Sequence, residues 1–212
     1  MTVRVAAVLA RALRRAKAPA SFSDGDLLRR YAKTGDQAAF AAVVDRHAAM
    51  VLGVCRRLLP SQADAEDACQ AVFLILCRKA KSLPWRTSVA NWLYSTARKV
   101  AHNARLSYAR RARRERAAAL PESVAPADLL TGQELLAILD EELDRLPPRY
   151  REPLVLCYLE GLTRDEAATR LGVPQTTLKS QLERGRKKLA DALASRGCAL
   201  GALLLATATA AS

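Results

Sequence analysis

Residues Gly161 to Leu189 read GLTRDEAATRLGVPQTTLKSQLERGRKKL, and this stretch decides the fold of the chain's second half. Thr163 with Glu166 three places on spells a capping box, in which each side chain satisfies a backbone N–H left free at a helix start. Ala167, Ala168 and Leu171 form the buried side of the helix that follows. Gly172 ends it, because glycine enters the left-handed region without a Cβ clash. Pro174 then stands just inside a second helix, where its missing N–H removes nothing. Leu178, Leu182 and Leu189 point one way along that helix. Gln175, Thr176, Lys179, Ser180, Glu183 and Arg184 point the other, at helical spacing. A short helix, a glycine turn and a second helix with donors and cations outward form a helix-turn-helix, the unit that docks in a DNA major groove. A helical hairpin with a solvated basic face shares the charge pattern. It does not account for cap, glycine, proline and two-sided pattern coinciding.

At 212 residues the chain has room for one large or two small domains. Its 34 Lys and Arg against 21 Asp and Glu leave a formal charge of +13, which favours a polyanionic partner, nucleic acid or a membrane surface. Alanine and leucine are abundant and β-branched alternation is scarce, so an all-α fold is expected. Cys55, Cys69, Cys77, Cys157 and Cys198 include no C-x-x-C pair, and the first four occupy apolar helical positions. That pattern supports neither a zinc site nor a disulfide framework and suits a reducing cytoplasm. Residues 1–20 read as a basic arm without a convincing secretory signal. From Cys198 to Ala211 the chain is small and apolar, shorter than the roughly 20 residues that span a bilayer.

Between these ends, Ser23 is a plausible N-cap for a helix closed at Gly35. Phe40, Val43, Val44, His47, Val51, Val54 and Leu58 stripe the next helix, where His47 is expected as a core or boundary residue rather than a ligand. Pro60 stops it and Ser61 caps a third helix. Val72, Ile75, Leu76 and Lys79 continue one face of that helix, while Asp64, Glu66, Asp67 and Gln70 crowd another with Phe73 beside them. Asp64 complements the helix dipole. An acid-and-aromatic patch on a basic protein also suits a basic protein partner. Thr87 or Ser88 opens a fourth helix with Val89, Leu93, Ala97, Val100 and Ala104 buried and Trp92 at the edge of that stripe. Opposite lie Asn91, Tyr94, Ser95, Arg98, His102 and Arg105, flanked by Lys99 and Asn103. Cations and amides interleaved with an aromatic suit single-stranded or melted nucleic acid, and Trp85 on the preceding loop is a further candidate for stacking.

Arg105 to Arg116 carries six arginines and one glutamate, and the proline-containing stretch after it marks a domain boundary. The expected organisation is an arm at 1–20, a helical domain at 21–116, a linker at 117–132, a second domain at 133–194 and an apolar tail at 195–212. Pro147-Pro148 starts a helix in which Pro153 removes one backbone hydrogen bond and bends the first turns.

The ordered blocks DAEDACQAVF, NWLYSTARKVAHNARL and LPPRYREPLVLCYLEGLTRDEAATRLGVPQTTLKSQLERGRKKL resemble the small two-domain sigma factors of the extracytoplasmic-function type, over roughly residues 22–193. The resemblance implies a binding protein that joins core RNA polymerase and directs transcription initiation at promoter DNA, with no enzyme activity, cofactor or small-molecule substrate. It implies that Asp64, Glu66, Asp67, Gln70 and Phe73 dock on the polymerase clamp helices. Asn91, Trp92, Tyr94, Arg98, Lys99, Asn103 and Arg105 are implied at the −10 element. Gln175, Thr176, Lys179, Ser180, Glu183 and Arg184 are implied at the −35 element. It also admits an anti-sigma factor as a further partner. Ala71 stands where the family has an acid, Lys99 where asparagine is common, and Glu183 where an aromatic or basic residue is frequent, so no promoter consensus carries over. A helix-turn-helix regulator that never joins the polymerase is the competing reading. It explains the second domain but neither the acidic block nor the aromatic-basic helix.

Overall fold

The computed structural model describes residues 22–82, 88–117 and 132–198. The N-terminal arm, the loop carrying Trp85, the linker core and the tail beyond Cys198 lie outside these residues. Among the described residues every regular element is helical. Local chemistry sets the ends of the first four helices. Helix α1 spans Asp24–Thr34, with the Ser23 hydroxyl accepting from the Asp26 N–H and Gly35 closing it at φ 72°. Helix α2 spans Gln37–Leu58, capped by the Asp36 carboxylate on the N–H groups of Ala38 and Ala39. Helix α3 spans Gln62–Lys79 under Ser61, and α4 spans Val89–Ala117, where Ser88 Oγ accepts from the Asn91 N–H at 3.3 Å. Each such cap is worth about 1 kcal/mol.

Helix α2 lies at the centre, and by length and composition alone it is long and apolar enough to cross a membrane. Its Val43, Val44, Val51 and Val54 are instead fully enclosed within the helical core. Leu28 and Tyr31 of α1, Cys69, Val72, Phe73 and Leu76 of α3, and Leu93 and Ala97 of α4 join the same core. Each large apolar side chain so enclosed contributes about 1.5–3 kcal/mol. His47 is enclosed too, as expected.

The second group begins with α5 (Gly132–Arg145) and α6 (Pro148–Leu154). Beyond Pro153, which has no N–H to donate, the ladder widens into a π-helical turn over Val155–Leu159. Helix α7 (Arg164–Leu171) carries the full capping box: Thr163 Oγ1 accepts from the Glu166 N–H, and Glu166 Oε2 accepts from the Thr163 N–H at 2.8 Å. Gly172 ends it at φ 65°. Helix α8 spans Gln175–Ser195, so Pro174 is the cap residue and not the first helical one, a shift of one place from expectation. Gly185 lets α8 close on α6: a Cβ there would stand 3.2 Å from the Tyr150 carbonyl oxygen. Ser195 is still helical, and Cys198 is buried with its N–H on the Leu193 carbonyl, so the ordered unit runs past the expected boundary at 194. The two groups of helices also pack on one another, chiefly α5 against α2 and the π-helical turn, with α6, against α4.

Candidate nucleic-acid interface

Helix α8 presents the face expected of a recognition helix. Gln175, Thr176, Lys179, Glu183 and Arg184 are exposed and Ser180 is half-buried, while Leu178, Leu182 and Leu189 face inward. Gln175 is held from behind by Asp165 of α7, Nε2 to Oδ1 at 2.5 Å. A cleft beside this face is lined by Thr176, Thr177, Ser180 and Arg184 together with Arg149 and Tyr150 of α6. The Arg149 guanidinium lies 4.7 Å from the centre of the Tyr150 ring, and Lys188 approaches the same ring at 5.9 Å. Arg149, Thr177 and Lys188 are additions that the linear pattern does not reveal. Arg149 precedes the helix-turn-helix in sequence, and only the packing of α6 on α8 sets it beside the outward side chains of α8.

The face of α4 opposite its apolar stripe is arranged differently from expectation. Lys99, Asn103 and Arg105 are exposed, with His102 beside them, and Trp92 is half-buried against the core. Tyr94 is fully enclosed and Asn91 is 8% exposed. Both were expected to face outward. The reason is that α5 and α6 cover this side. Tyr94 donates its hydroxyl to the Asp140 carboxylate at 3.0 Å, and Asp140 also takes a two-pronged ion pair from Arg57 at 2.8 and 2.9 Å. Arg98 donates to the Asp140 carbonyl at 2.8 Å and pairs with Asp144 at 3.1 Å. Ser95 reaches Asp144, while Asn91 accepts from Arg151 at 2.7 Å and donates to Glu152 at 3.3 Å. Burial and the neighbouring Asp140 carboxylate hold the Tyr94 hydroxyl far above its ordinary range.

On α3, Glu66 and Asp67 are exposed and Gln70 is half-buried, as an outward acidic patch requires. Asp64 is tied into the cap by Ser61 at 2.6 Å and also accepts from Tyr108. Those hydrogen bonds, Ser61 first, hold its carboxyl below the usual range. Phe73 departs from expectation. It is fully enclosed with Val72 and Leu76, because α3 is covered by α2 on one flank and α4 on the other. It therefore supports the patch from beneath and offers no surface.

A third cluster joins the two groups of helices. His47 Nε2 meets Asp24 at 3.1 Å and its Nδ1 bonds Glu160, the residue that ends the π-helical turn. Arg46 pairs with Asp24 at 2.7 Å, and Arg170 of α7 approaches Asp24 and Glu160 at 3.6 and 3.4 Å. Burial alone would lower the His47 pKa, but the Glu160 and Asp24 carboxylates raise it to about 10. The imidazole is thus a buried cation at neutral pH. Among the described residues no group of His, Cys, Asp and Glu has the arrangement of a metal site.

The sigma-70 region 2 family matches residues 43–115 and sigma-70 region 4 matches residues 136–189. The chain is 36% identical over 172 residues to the ECF RNA polymerase sigma factor SigE of Mycolicibacterium smegmatis, covering 76% of this chain and 65% of that protein. It is thus aligned to a little under two thirds of that relative's length. It is 31% identical over 171 residues to SigM of Mycobacterium tuberculosis, covering 81% of this chain and 85% of the relative. SigW of Bacillus subtilis is 27% identical over 172 residues, covering 74% and 90% of the two chains. Two regions matched in their proper order, and a SigM relationship that extends over most of both proteins, establish that the chain belongs to the ECF RNA polymerase sigma factors of the sigma-70 family.

Proposed function

We propose that the chain binds core RNA polymerase and directs it to promoters, acting by binding and making or breaking no bond itself. The observation that carries this reading is the presence, in order and in one chain, of sigma-70 region 2 at 43–115 and region 4 at 136–189. Glu66, Asp67 and Gln70 of α3 supply the polymerase-facing surface, with Asp64 fixing the helix start and Phe73 the helix seat. Trp92, Arg98, Lys99, Asn103 and Arg105, with Asn91 and Tyr94 once uncovered, serve the −10 element. Gln175, Thr176, Lys179, Ser180, Glu183 and Arg184 serve the −35 element, with Arg149 at the edge of the same cleft. Because one chain carries both DNA readers, the second contact follows the first at high effective concentration, and two weak sites act as one adequate site. The setting is the cytoplasm, where polymerase and promoter meet, and family membership makes an anti-sigma factor a partner to test for.

Run-off transcription with core polymerase and genomic promoter fragments tests the reading. Transcripts that depend on adding the chain support it. Failure to bind core polymerase in a pull-down, with DNA binding intact, would leave the non-polymerase helix-turn-helix regulator standing in its place.

A further inference from the structure

On the outward face of α8, Glu183 is the side chain whose presence the fold does not explain. Between Gln175 and Lys188 it is the single acid, set among Lys179, Arg184, Arg186, Lys187 and Lys188. It is exposed, and it borders a second cleft beside α8 that Tyr158, Arg164, Lys179 and Arg186 also line. Among the described residues its carboxylate takes no hydrogen bond and no ion pair. Arg186 turns instead to the Tyr158 hydroxyl, donating to it at 3.0 Å. The acids around it are committed to the architecture. Asp165 holds Gln175, Glu166 closes the capping box and Glu160 bonds His47. Glu183 holds nothing.

A free carboxylate on a face that enters the groove of a polyanion weakens binding to every sequence, except where a base offers it a donor. In the major groove the donors are the N4 amino group of cytosine and the N6 amino group of adenine. Adenine sets its N7 acceptor beside that amine, guanine offers acceptors, and thymine offers an acceptor and a methyl group. Cytosine alone presents an amine without a competing acceptor. We propose that Glu183 is a specificity-determining residue: it accepts from the cytosine N4 amino group at one position of the −35 element and disfavours guanine and thymine there. Lys179, one turn back on the same face, supplies the cation that suits O6 and N7 of the guanine paired with that cytosine. A cation and an acid a turn apart thus match the two signs of one G·C pair. The proposal rests on the reading of α8 as the −35 helix and adds which base its acid selects.

Selection from a randomised pool tests this. The full-length chain with core RNA polymerase is offered promoter duplexes randomised through the −35 segment, and the bound duplexes are sequenced. The wild type should enrich cytosine over guanine and thymine at one position by about fivefold or more. Glu183→Ala should remove that preference and leave those at other positions in place. Glu183→Gln should move it from cytosine to adenine, because an amide accepts from N6 and donates to N7 at once. Both variants replace an exposed side chain and should melt as the wild type does. An enriched sequence that Glu183→Ala leaves unchanged at every position overturns the proposal. A lost preference that was for guanine or thymine overturns it as well. So does an alanine variant that binds all duplexes more tightly by the same factor, since Glu183 would then be a repelling charge only. Discrimination lost at every position together, with a lowered melting temperature, overturns it in favour of a role in holding the helix. A wild type that enriches no −35 sequence overturns the assignment of α8 itself, whereas enrichment that survives Glu183→Ala removes only the role of Glu183.

Discussion

Single side chains on α8 divide into those that hold the helix and those proposed to meet DNA. Leu178 and Leu182 are buried, so substitution there damages the domain before it reports on recognition. Lys179 and Arg184 are exposed, and neither Arg184 nor Lys179 anchors the core. Lys179→Ala with Arg184→Ala is therefore expected to abolish dependence on the −35 element, at ~1–3 kcal/mol for any side chain that reads a base, while core polymerase binding stays intact. Competition among promoter fragments with altered −35 sequences checks it. Unchanged discrimination in the double variant places the recognition surface elsewhere. A uniform loss over all sequences assigns these side chains to phosphate. At the same scale, His47 governs a pH response. Its folded pKa, about 10, lies above the ordinary 6.5, so its stabilisation is complete below about 6.5 and fades as pH rises through 10. Asp24 runs the other way. Burial opposes its charge, but the hydrogen bond and charge of His47 with Arg170 and Arg46 depress its pKa well below the usual 3.8, so its contribution is present above 3.8 and lost in acid. His47→Gln removes the cation that stands between the two carboxylates and leaves them only Arg46 and Arg170, which costs up to about 3–5 kcal/mol. Thermal melts from pH 5 to 10 should show a gap between wild type and variant that narrows toward pH 10. A gap constant over that window would mean that His47 is neutral when folded.

At the scale of the element, α8 is held by its approach to α6 as much as by its own propensity. Gly185 is buried in that contact, where a side chain would press on the Tyr150 carbonyl oxygen and on Leu154. The backbone oxygen cannot move aside as a flexible side-chain end would. Glycine inside a helix costs up to about 1 kcal/mol relative to alanine, so its presence at this position marks a packing constraint. Gly185→Val should lower stability by about 1–3 kcal/mol through overpacking and shift Arg149 away from the recognition face. Chemical denaturation of the full chain gives the first quantity, and weakened −35 binding at temperatures well below melting gives the second. A variant as stable as wild type would show that α6 and α8 slide apart at little cost.

For the whole molecule, a chain of net charge +13 sets two pairs of its acids in contrasting surroundings. Asp140 and Asp144 face inward across the boundary between the two groups of helices, whereas Glu66 and Asp67 stand exposed on α3. Reversing the exposed pair, Glu66→Lys with Asp67→Lys, removes no core contact and should leave melting nearly unchanged. It opposes a basic partner surface, so affinity for core polymerase should fall severalfold or more at moderate salt, and the gap to wild type should narrow on raising salt. Binding of the two proteins measured by fluorescence anisotropy decides this. Unchanged core affinity would move the polymerase surface off this helix.

The sequence by itself determined the local structure. Ser23, Asp36 and Ser61 start helices where they stand, Gly35 and Gly172 end them, and Thr163 with Glu166 opens the helix-turn-helix. These signals work because a cap or a turn is settled between side chain and backbone a few residues apart, and nothing remote is needed. Apolar spacing likewise told the two sides of α8 apart, since that helix packs on one side alone. Only the tertiary structure decided the fates of Phe73, Asn91, Tyr94, His47 and Arg149. Phe73 is enclosed because α3 is covered on two flanks, and helical periodicity cannot say how wide an arc the neighbours will cover. Asn91 and Tyr94 vanish from the surface because α5 and α6, more than 40 residues on, supply partners for their polar atoms. His47 looks like one more core residue in its own helix. Its charge exists because Glu160, 113 residues away, lies against it, and no local pattern encodes a pairing between groups so far apart in the chain.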